Sequence, residues 1–104
     1  MGLAALAYDD LKKLVEANNK SGYSDELIMC VIWNESGFDP DVKHASKTEK
    51  GLMGVTEGAA KDVGYTEWGT NANNIAAGSS YLKKRVGWAG GDMEKGLQGY
   101  GTGA

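Results

Sequence analysis

"VIWNESGFDP", Val31 to Pro40, decides how the chain is read. With the preceding turn included, Ile28, Val31, Ile32 and Glu35 stand at i, i+3, i+4 and i+7, the spacing of one helix face. Three of the four are residues a core wants, and the fourth is a carboxylate at the C-terminal end of the same stripe. Ser24 is a good N-cap, Gly37 fits the left-handed position after a helix, and Pro40 lies just beyond as a stop. The spacing predicts a buried helix over 24–36 that ends on Glu35. Burial there disfavours the charged carboxylate, and the negative end of the helix dipole pushes the same way. A carboxyl that keeps its proton near neutral pH is a general acid. The same spacing also suits a structural carboxylate at the edge of a core that reaches solvent, and on spacing alone that is the plainer reading.

Working outward, Tyr8, Leu11, Leu14, Val15 and Asn18 share a face and predict a helix over 8–19, broken by "NKSG". Residues 39–50 read as polar and irregular, with room for a small hairpin. "GLMGV" is a short apolar piece. Thr56 can cap a short helix to about Val63. Asn71 or Asn73 caps a longer helix to about Val86, with Ala72, Ile75, Leu82 and Val86 near one face. Asp92 caps a last helix through Tyr100, with Met93, Leu97 and Tyr100 as its inner stripe. No internal repeat and no convincing alternating strand is present. The expected class is mainly α, with at most a small β-hairpin.

The length of 104 residues points to a single domain over 1–104 with one core. A net charge of −3 with scattered Lys and Arg argues against nucleic acid as partner. One cysteine, Cys30, cannot form an internal disulfide, and no Cys/His zinc spacing occurs, so neither a metal nor a cofactor is expected. No stretch approaches a membrane span. The start "MGLAALAYDD" lacks a basic n-region and its apolar run is too short for a secretory signal.

Glu35-Ser36-Gly37-Phe38, then Gly51-Leu52-Met53, then Asn74-Ile75 with Gly78 and Tyr81-Leu82, then Tyr100, occur in this order. The ordered set resembles the catalytic domain of the soluble lytic transglycosylases, which share a lysozyme-like helical fold with the goose-type lysozymes. The resemblance covers about residues 24–103. It implies an enzyme that cleaves the β-1,4 bond between N-acetylmuramic acid and N-acetylglucosamine in peptidoglycan. Glu35 takes the place of the single catalytic acid/base. It protonates the bridging oxygen, then accepts the muramyl 6-hydroxyl proton to give a 1,6-anhydro end. The substrate's own N-acetyl group supports the positive sugar, which removes the need for a second carboxylate. Ser36 would line the site, Gly51, Leu52 and Met53 would form a cleft wall, and the Tyr100 hydroxyl would bond near the acid. The expected partner is the glycan strand of peptidoglycan. With no export signal visible, the chain is expected to reach the periplasm or wall through phage lysis, a phage tail or specialised secretion, or as part of a longer protein. In the secretion case a cognate immunity protein is a fitting partner.

Two positions depart from the family pattern: Gly54 stands where Gln is usual, and Gly101 where Asn is usual. Both losses remove donors and acceptors for sugar amides. They favour one alternative, a non-catalytic relative that binds glycan or a partner; a muramidase hydrolysing the same bond is the other alternative left open. On this reading a Gln at position 54 should tighten glycan binding. Among the remaining residues, His44 reads as a solvated loop histidine and Cys30 as a small core residue. Asp39, Asp41, Glu49 and Glu57 read as solvated or capping, with Asp39 or Glu49 the candidates to position water in a hydrolase. Tyr65, Trp68 and Trp88 finish the core or stack on sugar rings.

Overall fold

The computed structural model describes residues 5–45 and 48–101. They form five helices: α1 (Tyr8–Asn18), α2 (Asp25–Ser36), α3 (Glu57–Asp62), α4 (Asn71–Trp88) and α5 (Met93–Tyr100). Among the described residues there is no strand. The one antiparallel pairing is the bridge between Lys50 and Val55. The hairpin expected within 39–50 therefore lies later and is smaller. Gly51 and Gly54, at φ 77° and 59°, close the turn between the bridged residues. Asp39 instead folds its own loop back, its carboxylate accepting the Asp41 N–H at 2.9 Å.

The α2 helix has the expected ends. The Ser24 hydroxyl accepts the Leu27 N–H at 3.2 Å, and Gly37 closes the C-terminus at φ 59°. Phe38 follows at φ 68°, the one described non-glycine residue in the left-handed region. Two such residues in succession turn the chain sharply just past Glu35. The Phe38 carbonyl then accepts the Leu6 N–H at 2.8 Å, so the turn is fastened to the segment ahead of α1.

Packing centres on α4, which lies against α1, α3 and α5. Six consecutive residues, Asn74 to Ser79, are buried, which a helix with a single apolar stripe does not show. Four of them, Ala76, Ala77, Gly78 and Ser79, are small, so neighbours close in from every side. A Cβ on Gly78 would stand 2.7 Å from the Met53 side chain and 2.9 Å from the Tyr100 hydroxyl oxygen. Gly96 and Gly99 do the same on α5, where added side chains would meet Val86 and the Arg85 guanidinium. The helix-propensity cost of two glycines in an eight-residue helix is what lets α5 lie this close to α4. Thr70, not Asn71 or Asn73, caps α4; its hydroxyl accepts the Asn73 N–H at 3.2 Å, and the helix continues to Trp88.

Candidate active site

Glu35 stands at the end of α2 with Ile28, Val31 and Ile32 buried behind it and its own side chain partly buried. Burial, aided by the nearby Glu49 carboxylate and opposed by His44, pushes the Glu35 carboxyl from 4.5 up to about 6. The periodicity of α2 placed this group at the rim of the core, and the tertiary structure adds the second carboxylate.

The turn between Lys50 and Val55 is fixed by Asn74. This side chain is 1 % exposed and makes three bonds to backbone: it donates to the carbonyls of Lys50 and Trp68, each at 2.9 Å, and accepts the Met53 N–H at 2.8 Å. Gly51 packs so closely on Asn74 that a side chain there would collide with the amide. Leu52 and Met53 are fully buried, so this segment faces any cleft with backbone and not with those side chains. The Met53 carbonyl accepts the Tyr100 hydroxyl at 2.7 Å. Enclosure, with the nearby carboxylates of Glu35 and Glu49, raises the Tyr100 phenol well above its ordinary value, so it acts as a donor throughout the accessible pH range. The Ser36 hydroxyl is buried and donates to the Ile32 carbonyl of its own helix at 3.0 Å.

Gly54 lies directly over the acid. A Cβ there would be 2.5 Å from Glu35 Oε1, 3.1 Å from Glu49 Oε2 and 3.2 Å from His44 Cε1. The backbone is left-handed at this point, so the position suits glycine on both counts. The expectation that Gln at 54 would improve the site is thereby reversed: it would displace the carboxyl it was meant to help.

A cavity of about 180 Å³ opens beside Gly54, lined also by Glu49, Val55, Thr56, Tyr81 and Tyr100. It is smaller than the roughly 300–1,000 Å³ of a complete small-molecule site, so it suits one part of a ligand lying along the surface. Tyr81 had no separate role in the sequence reading. It meets Tyr100 at 5.9 Å and, edge-on, Trp88 at 6.1 Å between ring centres. Trp88 is 60 % exposed and carries the Arg85 guanidinium over its ring at 5.4 Å. Trp68 is partly buried, with the Lys50 ammonium 5.2 Å from its ring centre, and Tyr65 is partly buried against the core.

Two expectations about single residues are overturned. His44 is not solvated: its side chain is 4 % exposed, and Nε2 lies 2.8 Å from the Gly51 carbonyl oxygen. Cys30 is not core but exposed, on the side of α2 opposite Ile28 and Ile32. Glu49, read as solvated or as a water-positioning candidate, is partly buried against His44, with Nδ1 and Oε2 3.6 Å apart. Asp39 accepts from its own loop and has a structural use there.

Residues 13–104 match the family described as Transglycosylase SLT domain. The chain is 36% identical over 74 residues to a membrane-bound lytic murein transglycosylase F of Desulfosudis oleivorans, covering 70% of this chain and 16% of that protein. A protein of the same description from Alcanivorax borkumensis is 31% identical over 77 residues, covering 74% and 16%. Among solved structures, the 70 kDa soluble lytic transglycosylase of Escherichia coli superposes with a TM-score of 0.70 at 25% identity, over 96% of this chain and 17% of that one. The chain thus spans about a sixth of the length of these relatives, and its fold is the mainly α, lysozyme-like helical domain that they contain. It belongs to the transglycosylase SLT domain family.

Proposed function

We propose that the chain is a peptidoglycan-cleaving catalytic domain that breaks the β-1,4 bond between N-acetylmuramic acid and N-acetylglucosamine without consuming water. The observation that carries this reading is the placement of Glu35. It is a partly buried carboxyl at the end of an apolar helix face, opposite Gly54, which has no side chain and itself lines a cavity. In its neutral form Glu35 donates its proton to the bridging oxygen as the C–O bond breaks. The resulting carboxylate then accepts the proton of the muramyl 6-hydroxyl as that oxygen bonds to C1. The enzyme ends as it began, and no water enters.

The position of Glu49 argues against an inverting hydrolysis by this pair of carboxylates. The nearest ligand atoms of Glu35, His44 and Glu49 all lie within 4.8 Å of one another. Two carboxylates that hold a water opposite the leaving group stand roughly 6.5–9.5 Å apart. Glu35 and Glu49 are neighbours on one side of the site, with no room for a sugar between them. Glu49 instead favours the protonated form of Glu35. Tyr100 holds the Met53 backbone, and Ser36 the end of α2, so both act on the acid through its supports. Tyr81 lines the cavity, and the exposed Trp88 ring packs edge-on against the Tyr81 ring.

The substrate places the site of action in the periplasm or cell wall. Directing the chain to the periplasm should lyse the host, and co-expression of a cognate immunity partner would relieve that toxicity. The test of the reading itself is digestion of purified peptidoglycan by wild type and Glu35→Gln. Soluble fragments with anhydro ends from wild type alone are expected. Reducing ends would make the domain a muramidase, and no release by either protein would make it a binding relative.

A further inference from the structure

We propose that Glu35, His44 and Glu49 form a binding site for a divalent transition-metal ion of the zinc class, and that its occupation switches off the acid. The three side chains come from the end of α2, the loop after it and the residue before the Lys50–Val55 bridge. Each offers a ligand atom within 4.8 Å of the other two.

His44 supplies the independent indication. A carbonyl oxygen only accepts, so the 2.8 Å contact with Gly51 requires the proton on Nε2. In the neutral imidazole Nδ1 then turns its lone pair toward the two carboxylates. At 3.6 Å from Glu49 Oε2 it is too distant for a hydrogen bond. A ring that is 4 % exposed therefore has one nitrogen bonded and the other aimed, without a hydrogen bond, at two acceptors. This is the orientation of a metal-bound histidine, whose second nitrogen donates to a backbone carbonyl. The 3.6 Å separation is also near the edge of a tetrahedron with metal–ligand bonds of about 2.0–2.1 Å, which is roughly 3.4 Å.

The donor set chooses the ion. One imidazole and two carboxylates suit zinc, cobalt or nickel, whereas calcium and magnesium prefer oxygen alone. Three protein ligands leave a fourth position open. Gly54 packs on the cluster, where a side chain would press on Glu35 and Glu49. An ion here engages the Glu35 oxygen and displaces its proton, so the acid has nothing to donate. That consequence rests on the role proposed above for Glu35; the binding itself does not.

The experiment is titration of chelator-stripped full-length chain with zinc chloride, followed by calorimetry, and with cobalt chloride, followed by its visible spectrum. One saturable equivalent is expected, unaffected by excess magnesium or calcium. His44→Gln and Glu49→Gln, each checked for folding by circular dichroism, should weaken binding at least about tenfold. Peptidoglycan release by wild type should fall along the same zinc curve and return with chelator. Absence of a stoichiometric site, or unchanged binding in a folded Glu49→Gln variant, would overturn the site. Zinc binding that leaves turnover unchanged, or that is needed for it, would overturn the switch. A wild type inactive without metal as well as with it would instead count against the functional reading, while the titration still decides the site.

Discussion

A carboxyl held protonated up to about pH 6 leaves two separate signatures, one in stability and one in rate. Because the folded value of Glu35 lies above 4.5, its contribution to stability is present in full below pH 4.5 and is lost as pH rises through about 6. The full shift corresponds to about 2 kcal/mol, and partial exposure reduces it to about 1 kcal/mol. Glu35→Gln has no such loss, so its melting temperature should exceed that of wild type by a few degrees at pH 7 and by less at pH 4. Thermal melts of the two proteins at both values, in chelator, check this; a larger gap at pH 4 would contradict it. In rate, kcat/KM of the wild type should decline above about pH 6 as Glu35 ionises. Gly54→Gln is expected to lower both stability and turnover, the latter at least tenfold, because its Cβ would press on Glu35 Oε1 from a left-handed backbone. Melting and peptidoglycan release of the variant measure the two losses. Glu35 was legible in the sequence because helical periodicity is local. The environment of His44 was not, since its burial depends on a carbonyl seven residues away across a turn that no pattern announces. Cys30 was misread for another reason: residue type was allowed to outweigh a position roughly 200° from Ile28 and Ile32 on the helix wheel.

Elements with one buried face were read well from their periodicity, and the one with several was not. The stripes of α1 and α2 follow from spacing, as Leu11, Val15, Ile28, Val31 and Ile32 show. The α4 helix is buried around its circumference at Asn74–Ser79, where small residues give no 3.6-residue contrast to detect. Asn74 matters most there, since its amide links α4 to two loops. Asn74→Ala removes three hydrogen bonds and leaves buried backbone groups unpaired, so a loss of about 2–4 kcal/mol is expected. Denaturant unfolding reads that loss, and a change under about 0.5 kcal/mol would mean the loops are held by other contacts. At the α4–α5 contact, Gly96→Ala should push the last helix away from Val86 and loosen Tyr100 from the Met53 carbonyl. It should therefore lower turnover as well as stability, which assay and melting of the same variant check together.

At the scale of the whole molecule, the fold brings Glu35 against Gly54, which lines the cavity, and the sequence order of short motifs pointed to the family better than any single motif did. Glu35 comes from the end of one helix, Gly54 from a four-residue turn and Tyr100 from the last helix; α4 holds the turn through Asn74 and packs against α5. What the order of motifs could not convey is the second carboxylate beside the first, because Glu49 reaches Glu35 only after the chain has reversed at Gly37–Phe38 and passed through the loop that carries His44. The central claim is that Glu35 acts alone, as acid and then base, with no water in the reaction. The measurement that meets it most directly is digestion of peptidoglycan in water labelled with heavy oxygen, with the ends of the released fragments weighed by mass spectrometry. The account expects anhydro muramyl ends without label from wild type, and at least about 10²–10⁴-fold less of them from Glu35→Gln. Labelled reducing ends, or unlabelled anhydro ends formed at the wild-type rate by Glu35→Gln, would contradict it.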